Sequence, residues 1–117
     1  MAGCILRVQN KNIKSGELLS SSIFANATIF QDGFNFTVSE SKNLENQLKD
    51  SETFLKRNKK VCKKLSEQLK PKSPVLDFGL WKNDGPVQSV NFPSSLVELA
   101  GSLGFELCVS IYEASDS

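Results

Sequence analysis

The sequence contains no histidine. That absence removes Ser-His-Asp and Cys-His nucleophilic arrangements, imidazole acid–base catalysis and histidine metal sites. Cysteine is scarce and scattered. Cys4, Cys62 and Cys108 are odd in number and far apart, so they outline neither a zinc-ligand set nor a disulfide framework. Buried free thiols in a reducing compartment are the expectation. No Walker-type loop and no Gly-x-Gly-x-x-Gly turn is present, and no cofactor is expected. Apolar runs are only a few residues long, against the roughly 20 that cross a bilayer. No targeting run opens the sequence, so Asn26-Ala27-Thr28 and Asn35-Phe36-Thr37 read as chance matches to the glycosylation pattern, and a cytoplasmic protein is expected.

What is present fits one domain over residues 1–117, with 39% hydrophobic and 23% charged residues, an ordinary globular balance. Cys4, Leu6 and Val8 alternate with Arg7 and Gln9, which predicts a half-buried strand. Ser15 is placed to cap a short helix through Glu17-Leu18-Leu19. Asp32-Gly33, between Ala27 to Gln31 and Phe34 to Ser39, predicts a hairpin. A helix follows over residues 41–69, capped by Ser39 or Ser41, with Leu44, Leu48, Ser51, Leu55, Asn58, Cys62, Leu65 and Leu69 at spacings of four and three. Continuous, it would be about 43 Å long, more than the roughly 35 Å width of a compact domain of this size. Such a helix must bend, break or overhang.

Val75 to Trp81 predicts a strand, and Val87 to Val90 a short edge strand. Ser95 and Glu98 have capping-box spacing at the start of a helix that Gly104 ends. Phe105, Leu107, Val109 and Ile111 then alternate with Glu106, Cys108, Ser110 and Tyr112 in a last strand. The order predicts an α+β fold: a mainly antiparallel sheet of about five strands, with one long and two short helices packed mainly on one face.

Charge is divided along the chain. Residues 56–72 hold eight bases and one acid, Glu67, while the rest holds six bases and twelve acids. Two explanations compete. Acids early in the 41–69 helix and cations late would complement its dipole. Yet Lys56, Lys60, Lys63 and Lys64 repel one another at helical spacings, a cost relieved either by separation in water, as expected if the helix breaks near Asn58, or by a partner that neutralises them. Strand alternation puts Trp81 on the side of Asp77 and Gly79, away from Leu76, Phe78 and Leu80; it is either an interface anchor beside Tyr112 or core under the long helix. Asp77 and Asp84 flank one sheet edge and form a two-carboxylate site only if they converge; aspartates near a turn ordinarily shape the turn.

Phe36-Thr37-Val38-Ser39, Gln47 and Asp50 with Phe54-Leu55, Leu76-Asp77-Phe78-Gly79, Phe92-Pro93 with Leu96, Leu99-Ala100-Gly101, Leu103-Gly104, Leu107 and Ser110-Ile111-Tyr112 together resemble a group of small, mostly uncharacterised bacterial α+β proteins. Proteins of this kind are often immunity proteins encoded beside secreted toxins. The resemblance covers most of residues 34–112, and its motifs are structural. It implies a non-enzymatic, cytoplasmic immunity-type inhibitor that binds and neutralises a cognate toxin domain. Candidate partner-binding residues are Trp81, Asp77, Asp84, Tyr112, Lys56, Lys60 and Lys63. The alternative is a nucleic-acid-binding module using the basic helix face at residues 56–64.

Overall fold

A computed structural model describes residues 2–9 and 22–113. Five strands form one sheet: β1 (Gly3–Gln9), β2 (Thr28–Phe30), β3 (Gly33–Ser39), β4 (Val75–Trp81) and β5 (Glu106–Tyr112). Their spatial order is β2-β3-β1-β4-β5. Every neighbouring pair is antiparallel except β4 and β5. That pair is parallel because its connection crosses back through a helix, as parallel strands require. Among the described residues three α-helices complete the α+β fold: α1 (Leu44–Arg57), α2 (Lys59–Leu69) and α3 (Ser94–Leu103). The proposed helix at Glu17-Leu18-Leu19 lies outside the described residues.

The core lies between the helices and one sheet face. Cys4, Leu6 and Val8 from β1, Phe34 from β3, and Leu76 and Phe78 from β4 meet Leu55, Cys62, Leu65, Leu69, Leu96 and Ala100 from the helices. Phe24 stacks near Phe34 and Phe36 at 5.2 and 5.4 Å, and Phe36 near Phe54 at 5.6 Å, which closes the hairpin end. The hairpin turn falls at Gln31-Asp32, one residue before the expected pair, since Phe30 and Gly33 are partners. Gly33 is needed as the first residue of β3. A Cβ there would sit 1.9 Å from the Val8 carbonyl oxygen, so the central strand approaches this backbone too closely for any side chain.

The long helical segment breaks at Asn58, whose φ of −124° and ψ of 34° leave the helical region. The cause is local. The Asn58 backbone N–H donates to the Phe54 carbonyl at 3.1 Å, and its side-chain amide donates to the same oxygen at 2.9 Å. Asparagine competes in this way with helical hydrogen bonding. The cap also differs from the sequence expectation. Asn43, not Ser39 or Ser41, accepts from the Asn46 N–H. Ser39 instead donates to Asp50 at 2.6 Å, and the Ser41 hydroxyl accepts from the Asn43 N–H.

Two further expectations fail for identifiable reasons. The chain at residues 87–90 forms no strand, because the adjacent loop is organised by Gln88, which donates to the Trp81 carbonyl and accepts from the Asn83 N–H. Ser95 and Glu98 make no capping box. α3 begins at Ser94 after Pro93, so Ser95 already lies inside the helix, and its hydroxyl donates to Glu52 on α1 at 2.6 Å. Gly104 ends α3 in the left-handed conformation at φ 80°, as expected.

Candidate functional site

Strand alternation gives the sheet a second face, and no helix packs on it among the described residues. β4 sends Val75, Asp77, Gly79 and Trp81 to this face; register adds Ile5 and Arg7 from β1 and Cys108, Ser110 and Tyr112 from β5. Asp77 lies at the centre, between the two neighbouring strands. Arg7, diagonal to it, places Nε 2.7 Å from Oδ2. Ser110, diagonal on the other side, holds its hydroxyl 2.7 Å from Oδ1 and 2.9 Å from Oδ2. Diagonal cross-strand neighbours are within reach of long side chains. The Asp77 side chain is only 6% exposed, against 42% for Arg7. A buried carboxylate is thus matched by one cation and one hydroxyl, the pairing that burial of a charge demands. Arg7 and Asp77 line a hollow of about 730 Å³ together with Phe30, Asp32, Glu106 and Cys108.

At the opposite end of β4 and β5, Trp81 and Tyr112 meet edge-to-face with ring centroids 6.2 Å apart. Trp81 keeps 41% of its surface exposed, so it is not core under a helix. Asp84 is exposed in the loop after β4 and does not line the hollow that holds Asp77. The two-carboxylate arrangement is therefore not assembled. Among the described residues, Asp32, Asp84 and Glu106 have no cation within ion-pair distance.

The candidate lysines belong to the other layer. Lys56 is paired with Glu52 at 3.1 Å. Lys60 and Lys63, joined by Lys59 and Lys64, line a shallow groove of about 490 Å³ against Ser102 and Leu103 of α3. The structure thus unites Trp81, Tyr112 and Asp77 on the uncovered sheet face, puts Asp84 in the adjoining loop, and separates all three lysines from them.

Titration follows the same layering. Burial pushes the Cys62 thiol up to about 12. Burial, with Asp77 and Asp50 adding repulsion, raises the Cys4 thiol still further. Both are inert packing groups at neutral pH; Cys108 is exposed. The Ser95 hydroxyl, followed by Lys56, holds the Glu52 carboxyl below its ordinary value. Gln47 on α1 is fully buried and ties that helix to the sheet: its amide donates to the Ser41 and Gly79 carbonyls at 2.9 and 3.0 Å.

Sequence reasoning missed Arg7 and Ser110 as the partners of Asp77. Both lie on the polar side of their strands, but only register shows that they converge. Lys59 and Lys64, both within the basic face expected at residues 56–64, join Lys60 and Lys63 in the groove, whereas Lys56 does not line it. Among the described residues no cluster of histidine, cysteine and acidic side chains is arranged to hold a metal ion, and no helix is long and apolar enough to cross a membrane. No protein-family model, curated protein or solved structure matches the chain.

Proposed function

We propose that this chain is a binding protein, a cytoplasmic immunity-type inhibitor that captures a cognate toxin domain on the uncovered face of its sheet. The observation that carries the reading is the exposed Trp81, held against half-buried Tyr112, on a face whose centre is locked by Arg7, Asp77 and Ser110. Rigid aromatic anchors beside fixed polar groups characterise the energetic centre of protein interfaces. Asp32, Asp84 and Glu106, which have no cation within ion-pair distance among the described residues, favour a partner surface of positive charge, which they would steer into contact. Inhibition then consists of covering the toxin's active site or substrate groove. The resemblance in residues 34–112 supports the immunity reading independently of the geometry.

Co-expression with the product of the neighbouring gene tests this. The expected result is a complex that survives purification and cells that outlive toxin induction. Trp81→Ala combined with Tyr112→Ala is expected to weaken the complex at least about 30-fold, the cost of losing one interface hot spot. Cells that die despite expression of the folded wild-type chain would refute the proposal.

A further inference from the structure

We propose that the groove between α2 and α3 is a second binding site, which takes the phosphate backbone of nucleic acid on Lys59, Lys60, Lys63 and Lys64. The site lies in the helical layer, so it stands or falls independently of the sheet face. Its lysines have no acid within ion-pair distance among the described residues. Glu67 is the one acid lining the groove, against four lysines.

The break at Asn58 alters the electrostatics. In one continuous helix these cations would lie toward the C-terminal end, where the dipole favours them. In the folded chain Lys59 and Lys60 open a separate helix with no acid in its first turn, and Asn58 supplies no side-chain cap. Lys59 and Lys60 therefore sit at the positive end of α2, where the dipole opposes them, and Lys63 and Lys64, one turn on, add like-charge repulsion at helical spacing. Among the described residues Glu67 is the one acid that lines the groove, and an anionic partner would offset the remaining charge.

The groove chemistry favours phosphate over protein carboxylates. Lysine ammonium groups are point charges that accept a phosphate from any direction, whereas arginine forks carry bidentate carboxylate recognition. Among the described residues no arginine and no aromatic lines the groove, so bases have no stacking platform and recognition is independent of sequence. The rows Lys59/Lys63 and Lys60/Lys64 each advance about 6 Å along the helix. Duplex DNA carries one charge per about 1.7 Å of axis, which is dense enough to engage all four lysines at once.

The test is fluorescence anisotropy of labelled short duplex and single-stranded DNA with the full chain, at about 50 and 200 mM salt. Four phosphate contacts predict a salt slope of about −3.6 for duplex, or a loss of roughly 150-fold across that range. Lys60→Glu with Lys63→Glu is expected to abolish binding at the higher salt and to at least halve the slope. The charge-matched control Lys42→Glu with Lys49→Glu is expected to retain the wild-type slope. Absent DNA binding at low salt, or binding that the groove variant leaves intact, would overturn the proposal. Binding of poly-glutamate in place of DNA would equally overturn it in favour of an acidic protein partner.

Discussion

Replacing Lys60 by glutamate is expected to make the protein more stable, although it removes a surface charge from a well-formed helix. Lys60 is the second residue of α2, whose first turn contains Lys59 and Lys60 and no acid. An acid in a first turn gains roughly 0.3–1 kcal/mol from the helix dipole, and the lysine that it replaces incurs a similar penalty. Lys60 and Lys64 are four residues apart on α2, so the change also converts a like-charge pair into a Glu-to-Lys pair in its better orientation, worth about 0.2–0.5 kcal/mol. Solvent screening trims these gains, because both side chains are exposed. The net expectation is about 1 kcal/mol, or a Tm rise of roughly 4 °C for a chain of this length. Thermal melting at low ionic strength measures it. Near 1 M salt, where the screening length is about 3 Å, most of the rise is expected to vanish. An unchanged or lower Tm at low salt, or a rise that high salt leaves intact, would refute the electrostatic account of α2.

Three further outcomes follow from particular contacts. Asp77→Ala removes the acceptor for Arg7 and Ser110 and is expected to cost about 2–3 kcal/mol in urea denaturation, with the half-exposed Arg7 at the low end of its range; a loss below about 0.5 kcal/mol would mean the network does not hold the sheet. Thiol labelling at mildly alkaline pH is expected to modify exposed Cys108 quickly, while Cys4 and Cys62 react only in denaturant; rapid labelling of two or three thiols in the native protein contradicts that. Ser95→Ala removes the main contact that depresses the Glu52 carboxyl. A depressed carboxyl contributes stability above its unfolded-state value, and that contribution fades as pH falls through the folded-state value. The stability gap between wild type and Ser95→Ala is therefore expected to be widest near neutral pH and to close below about pH 4; a gap that widens on acidification would contradict the contact.

Strand identity was legible in the sequence where apolar and polar residues alternate, as in β1, whose Leu6 and Val8 are buried while Arg7 and Gln9 are not. The alternation around Arg7, Asp77 and Trp81 placed them correctly before any register was known. Helix boundaries were less legible. Leu48, Leu55, Cys62 and Leu69 keep heptad spacing across Asn58, so the apolar pattern continues through a point where the backbone does not. The break depends on whether an asparagine side chain takes the carbonyl four residues back, and pattern cannot decide that. The caps failed similarly, since Ser39 and Ser95 found partners on α1, at Asp50 and Glu52, that outcompeted local capping. The Arg7–Asp77–Ser110 network needed the order β1-β4-β5, which no single strand encodes.

The helix break also changes what the charge division means. Lys59 and Lys60 now open a separate helix with no acid in its first turn, while Asp32 and Glu106, which have no cation within ion-pair distance among the described residues, line the hollow on the opposite layer. A lysine-lined groove in the helical layer and an aromatic pair on the far sheet face suit a protein that works by contact.

The most direct test of that role is quantitative capture of the neighbouring gene product by the immobilised chain, comparing wild type with Trp81→Ala/Tyr112→Ala and with Lys60→Glu/Lys63→Glu. The account predicts a stable complex with wild type, retention by the groove variant and loss with the aromatic variant. A toxin domain that ignores the wild-type chain, or that binds the aromatic variant equally well, would contradict it.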